Sequence, residues 1–470
     1  MSEFGKPNPL YKRSTLVYMG LTLYILAIFM YSTFKSKDKS EPVNYSLKEK
    51  YIVSQIKSLE AIKKYHSVDS QFDEVKDKLD SFQLDNIQDD FALRFAVLYD
   101  YFGLKSKSME LVQTDHNNPA LERLIESILH SKAIPAYSDH NLLIHNGFEE
   151  EWYRQRLLYK YYQITGDHEK LEELKNQISQ SQSKLRILLS IRVMAMIVFV
   201  IVGLVFIVLA IRHWKEDRRL VSPISFSGVA HPILDAYGLF VIWFSLAITI
   251  DIIVGSAMSI GTKYNLFLLD STDWLLSLSI SHVTASAIIE LIVIRLLILK
   301  QESINLKDFF RQILPLSTLK VSFRHVILGF QAYAVAVPII ILVSLISNYF
   351  IDQNPLESNP IFTLLIDGDS TFTFISVSVM AIVLAPVFEE ILFRGLLFRL
   401  LQSKWSTELA ALVTSVIFGV IHFSLYALFP ITALGMVLAW SYQKSNSLIT
   451  PIVAHALWNA TILLSVYLIL

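Results

Sequence analysis

Two adjacent carboxylates, Glu389 and Glu390, and one arginine, Arg394, interrupt an otherwise apolar run, Ala381-Ile-Val-Leu-Ala-Pro-Val-Phe-Glu-Glu-Ile-Leu-Phe-Arg-Gly395. An Asp or Arg at the centre of a bilayer costs roughly 2.5–3.5 kcal/mol on insertion scales, so such groups are rarely kept without a use. Two later apolar runs carry His422, and His455 with Asn459. Hydrolysis of an amide needs a base for water and donors for the developing oxyanion. Glu389 has the chemistry of the base, and His422 could orient the water or share its proton. His455 and Asn459, spaced i and i+4, could donate to one oxygen. Glu389 with His422 and His455 is also a zinc-capable set, but H-E-x-x-H spacing is absent, so a metal is permitted and not demanded.

Helical angles divide the roles further. Glu390 and Arg394 are i and i+4 and can pair on one face. Glu389 is turned about 100° from Glu390 and shares its face with Pro386 and Phe393. Pro386 lacks an N–H, and in an α-helix this would orphan the carbonyl of Ile382.

These residues need elements to place them at one depth. With 53% hydrophobic and 18% charged residues in 470, the chain reads as an all-α, multi-spanning membrane protein. A net charge of −1 gives no basic surface for nucleic acid, and the absence of cysteine removes disulfides, thiolate zinc sites and thiol nucleophiles. About nine spans are expected, near residues 16–34, 191–211, 233–258, 274–299, 326–350, 372–401, 409–428, 431–442 and 448–470. The first, preceded by Lys6, Lys12 and Arg13, reads as an uncleaved anchor.

The spans divide the chain into an anchor (1–34), a polar helical insertion (35–184), further spans with their loops (185–325) and a C-terminal core (326–470). Within the insertion, 93–112 and 156–178 each read as an aromatic-rich helix, a turn at Gly103 or Gly166, and a charged second helix. This is the outline of tetratricopeptide-like hairpins, and the insertion is a candidate for binding a protein partner. Five basic residues against Glu302 and Asp308 in 300–324, and four acidic residues with no Lys or Arg in 352–369, set the first loop inside and the second outside. Counting back puts the N-terminus in the cytoplasm and 35–184 outside. In that orientation Glu389, His422, His455 and Asn459 all fall about 10–20 Å from the inner ends of their spans.

Three motifs carry a resemblance. Glu389-Glu-Ile-Leu-Phe-Arg394 fits EExxxR, Phe418-Gly-Val-Ile-His422 fits FxxxH, and His455-Ala-Leu-Trp-Asn459 fits HxxxN. In this order, and on separate membrane helices, they resemble the CPBP family of intramembrane proteases, the group that includes the CAAX prenyl endopeptidases of the Rce1 type. The resemblance covers about 326–470. It implies a helical membrane fold with the site open to the cytoplasm, Glu389 and His422 activating water, and His455 and Asn459 holding the oxyanion. Glu390, Arg394 and Phe418 are then supporting residues. The substrate is expected to be a peptide or membrane protein within the lipid bilayer. Both a zinc-dependent and a glutamate-driven, metal-free mechanism follow from the resemblance. The insertion lies outside it, and a non-proteolytic adaptor acting through 35–184 is the alternative from another class.

Overall fold

The computed structural model describes residues 45–63, 67–80, 82, 89–112, 119–130, 151–213, 319–350, 371–422 and 424–469, with single residues between 237 and 245. All regular structure among them is helical. They belong to two compact units, one of Pro42–Met194 with Val466–Leu470, the other holding Ala195–Ser465.

The first unit contains α1 (Tyr45–Lys63), α2 (Asp69–Asp80), α3 (Asp89–Tyr101), α4 (Lys105–Val112), α5 (Pro119–Leu129), α6 (Glu151–Thr165) and the start of α7 (His168–His213). Ile52 and Ile56, Val75 and Leu79, Phe95 and Tyr99, and Leu124 and Ile128 are spaced four apart on their helices and fill one core. Gly103 (φ +75°) and Gly166 (φ +72°) turn the α3–α4 and α6–α7 hairpins through the left-handed region that favours glycine. At the first turn the amide of Leu104 reaches Tyr99 O at 2.8 Å and that of Gly103 reaches Asp100 O at 2.9 Å, which closes the end of α3. The buried Tyr99 hydroxyl donates to Leu79 O at 3.1 Å. Glu60 gathers Tyr101 Oη at 2.7 Å, the Arg156 guanidinium and, at 3.5 Å, Gln182 Nε2.

Among the described residues four helices are long and apolar enough to cross a membrane: His168–Leu209, Phe323–Phe350, Phe374–Gln402 and Leu425–Ser445. Thr407–Val420 and Ile449–Ser465 are shorter apolar helices. The chain is an integral membrane protein. Of the nine expected spans, those at 16–34 and 274–299, and nearly all of 233–258, lie outside the described residues, as do the loops that carried the orientation apart from Lys320 and Arg324, which lie in the helix Leu319–Phe350.

We number the helices α8 (Leu319–Phe350), α9 (371–402), α10 (Thr407–Val420), α11 (Leu425–Ser445) and α12 (Ile449–Ile469). One boundary differs from the sequence reading, which broke the chain near Pro430. The break falls at 421–424, because Ser424 caps α11 by accepting from the amide of Ala427 at 3.1 Å. Pro430 lies inside α11, so the expected short span 431–442 is part of a helix of 21 residues.

α8 packs on α11 and α12 through Tyr333, Ala336, Val337, Leu438 and Ala454. Tyr333 Oη and Thr461 Oγ1 are 2.7 Å apart, and Thr450 Oγ1 donates to His325 O at 3.2 Å. In α9 and α10, Phe393, Leu396, Leu400, Ala410 and Phe418 form the core against which Ala439 and Tyr442 of α11 pack. The site lies within this four-helix arrangement of α9 to α12.

Candidate active site

α9 is not a uniform α-helix. Two π-helical stretches, Met380–Leu384 and Ile391–Phe398, bracket a short α segment, Ala385–Glu390. Such wide turns in α-helices are rare and recur at functional sites. In the first, the amide of Ala385 reaches Met380 O, five residues back. Continuing that register, Ala381 O would accept from residue 386, which is proline and has no N–H. The orphan carbonyl is therefore Ala381, one residue earlier than the α-helical reading gave. Asn459 Nδ2 donates to it at 2.8 Å.

Glu390 and Arg394 form an ion pair at 2.7 Å and are 0% and 1% exposed. Arg394 also donates to Gly435 O at 3.1 Å and lies 4.7 Å from the centre of the Phe418 ring. α11 can approach this closely because residue 435 is glycine; a Cβ there would stand 2.9 Å from that of Ser415. Glu390 has a second ligand: His455 Nδ1 is 3.0 Å from the same Oε1. A carboxylate oxygen accepts, so the hydrogen sits on Nδ1, and in the neutral ring Nε2 keeps its lone pair.

That Nε2 stands 3.8 Å from Glu389 Oε2. Among the described residues Oε2 is buried without a hydrogen-bond partner, although the Glu389 side chain as a whole is 25% exposed. Two acceptors thus face each other, and a proton on either group converts the contact to attraction. Glu389 is the uncommitted member of the carboxylate pair; Glu390 is committed twice over.

His422 follows the end of α10 and is exposed. Its Nδ1–H donates to Phe418 O at 2.7 Å, which leaves Nε2 as an acceptor. Phe418 joins the parts, its ring meeting those of His422 at 5.1 Å, His455 at 5.6 Å and Phe393 at 5.1 Å, all edge to face.

The structure therefore gathers Glu389, Glu390, Arg394, Phe418 and His455, and joins His422 to them through Phe418. Asn459 is on the same stripe of α12 as His455, but its amide is turned to Ala381 rather than to a point shared with the imidazole. The zinc-capable trio of Glu389, His422 and His455 does not converge as a cage. Among the described residues no three His, Asp or Glu side chains are arranged to hold a metal ion. Each imidazole has its Nδ1–H tied to another acceptor, which leaves Nε2 as the accepting nitrogen of both rings. The carbonyls of Ala381 and Gly435 are the parts that sequence reading missed. Pro386 was the one signal for the first, and nothing local marked the second.

Residues 371–461 match the profile of the Rce1-like family, described as type II CAAX prenyl endopeptidase Rce1-like. All four candidate catalytic residues lie inside the Rce1-like match, as do Glu390, Arg394 and Phe418. The chain is 34% identical over 86 residues to the protein named "Putative membrane peptidase YdiL" of Bacillus subtilis (strain 168), covering 18% of this chain and 35% of that one. It is 34% identical over 79 residues to "UPF0177 protein YxdF" of Lactococcus lactis, covering 16% and 42%. An "Uncharacterized 24.3 kDa protein" of Escherichia coli is 30% identical over 105 residues, covering 21% and 48%. The chain thus spans less than half the length of each of these relatives. No solved structure matches.

Proposed function

We propose that the protein is an intramembrane endopeptidase that hydrolyses peptide bonds of membrane-associated proteins or peptides. The observation that carries this is the division between the two glutamates. Glu390 is fixed by Arg394 and His455, whereas Glu389, partly exposed and without a hydrogen bond at Oε2, stands 3.8 Å from His455 Nε2. Glu389 takes a proton from water, and the new hydroxide forms a C–O bond to the scissile carbonyl carbon. His422 Nε2 holds the attacking water. The oxyanion is met by the Nε2–H of His455, once that ring is protonated against Glu390. Collapse breaks the C–N bond, and the amine leaves with the proton held by Glu389. This route needs no resident cofactor.

In this proposal the N-terminus is cytoplasmic, 35–184 is external and the site opens inward, as the loop charges support. Replacing Glu389 by Gln keeps the shape and removes the base. In proteoliposomes, a fluorophore–quencher peptide joined to a membrane anchor should be cut by the wild type and not by Glu389→Gln. A correctly inserted, active Gln variant overturns the assignment.

A second reading, a non-proteolytic adaptor, has one observation in its favour. A cleft of about 130 Å³ in the first unit is lined by Lys57, Glu60, Trp152, Arg156, Ser181 and Gln182, all on α1, α6 and α7. The adaptor reading requires Glu389→Gln cells to keep wild-type behaviour while alanines at Trp152 and Gln182 lose it.

A further inference from the structure

We infer that Asn459 is a positioning residue that selects the helical register of α9 and so aims Glu389; the inference rests on Glu389 being the base. Pro386 makes the register a choice between two orphans. With the π turn, Ala385 N–H goes to Met380 O and Ala381 O finds only a proline. With a plain α turn, Ala385 N–H would go to Ala381 O, and Ile382 O would face the same proline instead. Either way one carbonyl in an apolar helix lacks its backbone donor, and such a group is costly where no water reaches it.

Asn459 decides between them, because its Nδ2 lies 2.8 Å from Ala381 O. The contact is held from both sides of Asn459 on α12. One turn earlier, His455 is tied to Glu390. One turn later, Leu463 packs with Val377 and Ala381, all 4% exposed or less. The stripe 455, 459 and 463 therefore grips α9 at Glu390, at Ala381 and at Val377. Unwinding the extra residue would turn everything after Ala385 by about 100° relative to Val377 and slide it about 1.5 Å. Glu389 would leave His455 Nε2.

The test uses Pro386 as the switch. Pro386→Ala restores an N–H that satisfies Ala381 O in the π register and Ile382 O in the α register, so it removes the orphan whichever register forms. Wild type, Asn459→Ala, Pro386→Ala and the double variant are compared in the full-length protein. The probe is the quenched membrane-anchored peptide, and thermal unfolding is followed in parallel. Asn459→Ala should lower kcat at least tenfold with KM within twofold and lower the unfolding midpoint. The double variant should regain most of the lost midpoint but not kcat, because no orphan is then left in either register and nothing favours the π turn. A double variant that regains kcat along with the midpoint shows that Asn459 does not select the register and overturns the inference; additive losses of midpoint overturn it too and leave Asn459 as an oxyanion donor alone. If the wild type itself does not cut the peptide, the proteolytic reading has failed, and the midpoints decide the register question by themselves. Compensation then upholds the lock and additive losses overturn it.

Discussion

His455 gives its Nδ1–H to Glu390 Oε1 at 3.0 Å, the same oxygen that receives Arg394 at 2.7 Å. One carboxylate oxygen thus anchors two helices: α9 through its own i, i+4 pair and α12 through the imidazole. Breaking a buried ion pair by removing one partner typically costs about 3–5 kcal/mol, because the other charge stays behind uncompensated. Glu390→Ala should destabilise the protein by that order, and Arg394→Ala should do the same. A joint Glu390→Leu/Arg394→Leu replacement should cost less than either single change. Reversible unfolding in mild detergent measures all three.

Glu389→Gln should behave in the opposite way. The residue is partly exposed and its Oε2 has no hydrogen bond to lose, so the unfolding midpoint should stay close to wild type while turnover disappears. A large loss of stability in this variant would show that Glu389 belongs to the scaffold. The informative measurement is therefore the pair, stability beside cleavage, for neighbouring glutamates on one helix.

Much of this could be read from the chain, for reasons that are local. The Glu390–Arg394 pair follows from i, i+4 spacing, and the hairpins in the first unit follow from Gly103 and Gly166 after amphipathic helices. What could not be read depends on other helices. The π turn at Met380–Leu384 has no marker in its own five residues, and its orphan carbonyl is met by a side chain 78 positions away. The tie between His455 and Glu390 likewise needs α12 docked on α9. The start of α11 was misplaced because Pro430 is the louder breaker, although Ser424 is the cap.

Phe418 connects the charged and the imidazole parts of the site, and its removal should separate stability from positioning. Truncating a buried Phe costs about 3–5 kcal/mol, so Phe418→Ala should be markedly unstable. Phe418→Leu keeps most of the volume but loses the face under Arg394, a cation–π contact of about 1–2 kcal/mol, and both edge-on imidazole contacts. The Leu variant should fold with a modest loss and show a lowered kcat. A fully active Leu variant would mean that the ring only fills space.

A pH effect is expected from the first unit. Tyr99 is buried beside Asp80, and burial first, then the acidic neighbour, raises its hydroxyl from 10.0 to about 12. Tyr101 is pushed up as well, by burial and then by Glu60. A raised tyrosine favours its neutral form in the folded state. Its contribution is intact below the unfolded value near 10 and is lost as pH climbs from there through the folded value, because the unfolded chain releases the proton first. Stability of this unit should therefore be flat up to about pH 10 and fall towards 12. Tyr99→Phe cannot ionise, so it should make that decline shallower while costing the hydrogen bond to Leu79 O at lower pH. Thermal unfolding of the two proteins across pH 8 to about 11 reads both effects. A decline of equal slope in the Phe variant would assign the alkaline sensitivity to Tyr101 or another group.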